Sequence, residues 1–100
     1  MPGLSSSQRK FLRRRAHHLD PMVIIGKQGL TDMLVRSASE ALEEHELIKI
    51  RFNDFKDEKK DLTEKLAFRT NSEVVGMIGH VAVLYRRHPE EDLRKIELPS

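Results

Sequence analysis

The stretch from Met22 to Thr31 reads MVIIGKQGLT. Four apolar residues run into Gly26, Lys27, Gln28 and Gly29, and a leucine and a threonine follow. The apolar run predicts a short strand, Met22 to Ile25, apolar on both faces and therefore central in a covered sheet. Thr31 predicts a helix N-cap, because its hydroxyl can accept one of the unpaired first-turn amides, and Asp32 suits the positive end of the helix dipole. Leu30, Leu34, Ala38, Ala41, Leu42 and His45 continue at helical spacing. A strand, a GxxG turn and a capped helix follow one another in ten residues.

Upstream, Ser5-Ser6-Ser7 offers cap hydroxyls for a helix over Gln8 to His18. Phe11, Leu12, Ala16 and Leu19 share one arc of that helix, and Arg9, Lys10, Arg13, Arg14 and His17 fill the opposite one. Arg15 falls on the apolar side and is expected to snorkel. Asp20-Pro21 ends the helix, since a residue before proline avoids helical backbone. Downstream, Leu47 to Phe52 alternates: Ile48, Ile50 and Phe52 on one face, Lys49 and Arg51 on the other, a half-buried strand.

Glu58 to Thr70 reads as a third helix, with Leu62, Leu66 and either Phe68 or the Arg69 stem facing inward, and Asn71-Ser72 as its stop. Val74 to Ile78 and Val81 to Arg86 form a hairpin through Gly79-His80, where glycine in first position suits a type II′ turn. The order α-β-α-β-α-β-β predicts an α/β (α+β) domain with a four-stranded mixed sheet packed with helices, strands joined through helices being parallel. One domain over residues 1–86 is expected, and residues 87–100 (RHPEEDLRKIELPS) read as a loosely held polar tail.

Composition narrows the function classes. The chain has 100 residues, no cysteine and five aromatics, which removes disulfide frameworks and Cys-based zinc sites. No run approaches the ~20 apolar residues of a membrane span. MPGLSSSQRKFLRRR lacks the apolar segment of a secretory signal, so a cytoplasmic protein is expected. Net charge is +2, but residues 1–30 carry six Lys/Arg against the single acid Asp20. That asymmetry points to a polyanion partner or, on charge alone, to a merely solvated basic helix. The histidines are scattered, and adjacent His17 and His18 project about 100° apart on a helix, so no metal site is expected. No HExxH and no GxxxxGK[ST] occurs, no carboxylate pair stands out, and no catalytic residue, cofactor or small-molecule substrate is predicted.

Two glycines let the GKQG backbone turn sharply and let another backbone approach it. A bare GxxG is an ordinary turn in most chains. Here it stands before a capped helix whose amides and dipole favour phosphate, near a cationic helix, and this favours a KH-like loop that clamps a nucleic-acid backbone. Lys27 and Gln28 then sit at the apex, Gly26 and Gly29 permit the approach, Thr31 caps the helix, and Arg9, Lys10, Arg13 and Arg14 attract RNA. Lys49 and Arg51 either extend this basic surface or solvate an exposed strand face. With few aromatics, recognition is expected to rest on phosphates and shape, favouring structured RNA. The rival readings are a protein-interaction module whose basic helix docks an acidic partner, and an RNA-processing enzyme.

The segments LRRRAHHLDPMVIIGKQGLTD, ALEEHELIKIRF and VVGMIGHVAVLYRR together resemble the CRM-domain family (chloroplast RNA splicing and ribosome maturation), in its bacterial stand-alone YhbY-like form. The likeness spans nearly all of residues 7–87. It implies a fold similar to the C-terminal domain of translation initiation factor three, an RNA-binding GxxG loop at Gly26–Gly29, and association with ribosomal RNA in precursors of the large ribosomal subunit. It implies nothing for the last dozen residues.

Overall fold

Ser5 opens the first helix with a reciprocal cap: its Oγ accepts the Gln8 amide at 3.1 Å, and the Gln8 side chain accepts the Ser5 amide at 3.0 Å. The computed structural model describes residues 3–100, so the first two residues of the expected 1–86 domain lie outside the described residues. The elements are α1 (Ser6–Ala16), β1 (Val23–Ile25), α2 (Asp32–His45), β2 (Leu47–Phe52), α3 (Lys59–Thr70), β3 (Glu73–Ile78) and β4 (Val81–Tyr85), with single 3-10 turns at Lys56–Glu58 and Glu91–Leu93. The predicted order holds, and the sheet is four-stranded and mixed. Its spatial order is β1-β2-β4-β3, with β1 parallel to β2 and the other pairs antiparallel. Because β1 pairs with β2 alone, it is an edge strand and not the central one its apolar run suggested. Ile24, in its middle, is 53% exposed.

Alternation along the strands gives the sheet two apolar faces. Ile25, Ile48, Ile50, Phe52 and Leu84 face α2 and α3, which bring Ala38, Leu42 and Leu66. Leu47, Val75, Val83 and Tyr85 face α1, which brings Leu12 and Ala16. A bulge helps the second face: Val75 and Gly76 together oppose Val83, and Val75 enters that core. Gly79 takes φ +58° while His80 stays outside the left-handed region, as a type II′ hairpin requires. Asn71, at φ 55°, ends α3 as expected. Arg86 ties the layers together, donating to Ser39 Oγ (3.0 Å), the Ser39 carbonyl (2.7 Å) and the Thr70 carbonyl (2.8 Å).

Phe68 does not turn inward; it is 89% exposed. It lies about 200° around the helix from Leu66, and Thr63, Ala67 and Thr70 take the remaining inner positions. Residues 87–100 are not loosely held either. Ile96 is buried against the α1 core, with Leu98 partly buried beside it. The anchor is Glu46, itself buried. Its carboxylate accepts the amides of His88 (2.7 Å), Lys95 (2.6 Å) and Ile96 (3.0 Å). Glu46 is also the whole connection between α2 and β2, and turning a helix into a strand within one residue puts it at φ 65°, ψ −37°.

Candidate nucleic-acid interface

The GKQG loop closes as a tight turn: the Gly29 amide donates to the Gly26 carbonyl at 3.0 Å. Gly29 has φ +68°, a conformation side chains rarely adopt, whereas Gly26 has ordinary φ and open space where a Cβ would stand. Lys27 and Gln28 project from the turn and are exposed. Thr31 caps α2 as expected, its Oγ1 accepting the Leu34 amide at 3.1 Å. The first backbone bond of the helix is the Val35 amide on the Thr31 carbonyl, so the amides of Asp32 and Met33 precede the helical ladder and face outward. Among the described residues, the amides of Lys27, Gln28 and Leu30 also have no intramolecular acceptor. The concentration of free N–H groups at a helix N-terminus is what a phosphate oxygen binds.

Two side chains shape the surroundings of the loop. The Asp32 carboxylate, at the same helix end, would repel an anion, but Arg69 pairs with it at 2.8 Å. The hydrogen bond and charge of Arg69 hold Asp32 below the usual carboxylate range. Phe55, at φ 54° in the turn after β2, lays its ring against the loop, 3.5 Å from where a Gly29 Cβ would be. Sequence reading attached no role to Phe55. A bulky residue in left-handed backbone is the signal that marks it, and that signal exists only in the structure.

The basic residues predicted on α1 divide into two groups. Lys10 and Arg14 are exposed. Arg9 and Arg13 instead reach the outer strand: Arg9 Nη1 donates to the Val74 carbonyl and Nη2 approaches Glu73 at 3.8 Å, while Arg13 lies across Gly76. Arg15 stacks near Phe11, 5.7 Å from its ring centre. Lys49 is half-buried and donates to the Leu19 carbonyl at 2.9 Å, so it also fastens the chain between α1 and β1. Arg51 is exposed. Strand β1 delivers the loop to the Phe52 end of the sheet, while the core of α1 packs over Leu47, Val75, Val83 and Tyr85.

No group of three or more His, Asp or Glu among the described residues is placed to hold a metal ion. No described helix is long and apolar enough to cross a membrane.

The CRS1 / YhbY (CRM) domain matches residues 4–86. A Haemophilus influenzae protein named "RNA-binding protein" is 42% identical over 100 residues, covering 99% of this chain and 98% of its own. The Bacillus subtilis "Probable RNA-binding protein YqeI" is 39% identical over 97 residues, covering 96% of this chain and 99% of its own. The solution structure of the hypothetical protein SAV1595 from Staphylococcus aureus is similar with a TM-score of 0.80 at 40% identity, covering 97% of this chain and 100% of that one. A family model matching residues 4–86, with relatives 39–42% identical along nearly the whole chain, means that the chain belongs to the CRS1/YhbY (CRM) domain family.

Proposed function

We propose that this chain is a non-catalytic RNA-binding protein of the cytoplasm that holds ribosomal RNA during assembly of the large ribosomal subunit. The observation that carries the RNA-binding reading is the Gly26–Gly29 turn, with its outward Lys27 and Gln28 and its free amides in front of a capped helix. The names borne by its relatives support the same reading. The ribosomal target rests on the family resemblance.

One phosphate oxygen binds at the loop amides, Lys27 and Gln28 flank it, and the ordinary φ of Gly26 and left-handed φ of Gly29 shape the turn. Lys10 and Arg14 attract the backbone, with Arg9, Arg13, Lys49 and Arg51 adding to the field. The proposed domain, residues 1–86, carries all of these groups.

The test is binding of a large-subunit ribosomal RNA fragment, followed by fluorescence anisotropy through a salt series. Lys27→Asp with Gln28→Asp should melt like the parent, because both side chains are exposed, and should lose most of its affinity. Lys10→Gln with Arg14→Gln should flatten the log–log salt slope by about 1.4–1.8. Parental affinity in the folded loop variant refutes the loop assignment. Binding that is indifferent to salt refutes the electrostatic one. Crosslinking in cells with sequencing of the bound RNA tests the ribosomal target.

A further inference from the structure

The face of the sheet that carries α1 is only partly covered. Its residues form rows across the strands. The near rows, with Leu47, Tyr85 and Val83, lie under Leu12 and Ala16 of α1. The last row lies beyond those two side chains. It consists of Ile24, Arg51, Val81 and Ile78, one residue from each strand, joined by the registers Ile24↔Arg51, Arg51↔Val81 and Ile78↔Val81. Ile24 is 53% and Ile78 67% exposed. Between this row and α1 opens an apolar cleft of about 150 Å³, with Arg13, His17 and Lys49 on its walls and no carboxylate in its lining.

We infer that this row is a platform for unpaired RNA bases, next to the phosphate held by the GKQG loop. The inference rests on the RNA-binding reading and extends it. Adjacent strands lie about 4.8 Å apart, so the row runs ~14 Å, room for two or three bases. Aliphatic side chains and a guanidinium plane accept the flat face of a base, and Arg51 stands in the middle of the row. Paired bases hide their faces inside the duplex and gain nothing from such a floor. Gly26 follows Ile24 by two residues, about 7 Å of extended chain, so bases on the row and a phosphate at the loop belong to neighbouring nucleotides. The rim is cationic, which suits the backbone of the same strand. The preference for structured RNA expected from the few aromatics therefore gives way to a duplex with an unpaired extension.

The experiment compares three RNAs with one sequence of stem: a blunt hairpin, the hairpin with a short unpaired extension at either end, and the same extensions made abasic. The extension should tighten binding by the parent protein about five- to tenfold, and the abasic form, with equal charge, should give no gain. Ile24→Ser with Ile78→Ser should lose that gain and keep parental affinity for the blunt hairpin. Equal binding of normal and abasic extensions overturns the platform, and this arm needs no variant to fold. A gain retained by the serine variant also overturns it. A dimer in sedimentation that the serine variant abolishes would give the face to a second copy and overturn it too. Loss of all salt-sensitive hairpin binding would instead refute the RNA-binding reading itself, which separates the two failures.

Discussion

Replacing Glu46 should release the C-terminal segment and destabilise the whole domain. The Glu46 carboxylate accepts three amides, those of His88, Lys95 and Ile96, at 2.6–3.0 Å. Glu46→Ala removes all three acceptor contacts, and a buried amide left unpaired costs about 1–3 kcal/mol. Were the segment to stay in place, the loss would exceed 3 kcal/mol on that scale. The segment has another outcome open to it: it can detach. Detachment exposes Ile96, whose burial is worth about 1.5–3 kcal/mol, and regains chain entropy as the residues disorder. The cheaper route caps the loss, so urea unfolding should show roughly 2–4 kcal/mol less stability. That is a large part of the ~5–15 kcal/mol of a domain this size. Hydrogen exchange in the native state should show the amides of 88, 95 and 96 losing protection well before those of β2 and β4. Glu46→Gly loses the same bonds but relieves the positive φ at this corner, so it should recover about 1 kcal/mol relative to alanine. An alanine variant within ~0.5 kcal/mol of the parent, with the three amides still protected, would refute this account of the anchor.

Two further outcomes follow from backbone and burial. Gly29→Val should lower stability by on the order of 1 kcal/mol or more, from strain at φ +68°, while a Cβ itself would meet Phe55 at ordinary contact distance; Gly26→Ala should melt like the parent, having open space and no positive φ, and calorimetry of the pair checks both. The buried Tyr85 hydroxyl has no partner among the described residues, so Tyr85→Phe should be neutral or stabilising by up to about 1 kcal/mol. Burial, and then the charge of Glu46, raise the Tyr85 pKa above its ordinary 10.0. The unfolded chain thus loses this proton first, and stability should fall as pH rises above 10, a slope that Tyr85→Phe should abolish in alkaline melts.

Locally encoded features were legible in the sequence. The caps at Ser5 and Thr31, the alternation of Leu47–Phe52, the Asn71 stop and the Gly79 hairpin each depend on a few adjacent residues, and each has its predicted form. What was misread depends on partners far along the chain. Three apolar residues in β1 look alike in a central or an edge strand, and only the docking of the β3–β4 hairpin on the far side of β2 decides the matter. The tail is polar in composition, yet its anchor is a glutamate more than forty residues earlier, a residue type expected in solvent. The GKQG loop was legible because strand, turn and cap are contiguous. The row Ile24, Arg51, Val81 and Ile78 was not, because its members come from four strands whose order had to be known first.

The same limit explains the basic helix. An angular arc separates apolar from charged residues but does not say which charged residues lie at the border, within reach of a neighbour. Arg9 and Arg13 lie at that border, and the neighbour is β3, an edge strand with unpaired backbone groups. Arginine is long enough to lie along the sheet and donate to those groups, and Gly76 leaves the space: a Cβ there would stand 2.9 Å from Arg13 Cδ. Covering an edge in this way blunts its tendency to pair with other chains. On the proposed reading a guanidinium so engaged still draws a polyanion from a distance. Moving it onto a phosphate would require giving up a carbonyl of the sheet. Among the described residues Lys10 and Arg14 have no such tie, so on the proposed reading direct phosphate contacts concentrate on them, while Arg9 and Arg13 contribute field and fold together. Charge removal at Arg9 should therefore move melting temperature and RNA affinity at once, whereas at Lys10 it should move affinity alone.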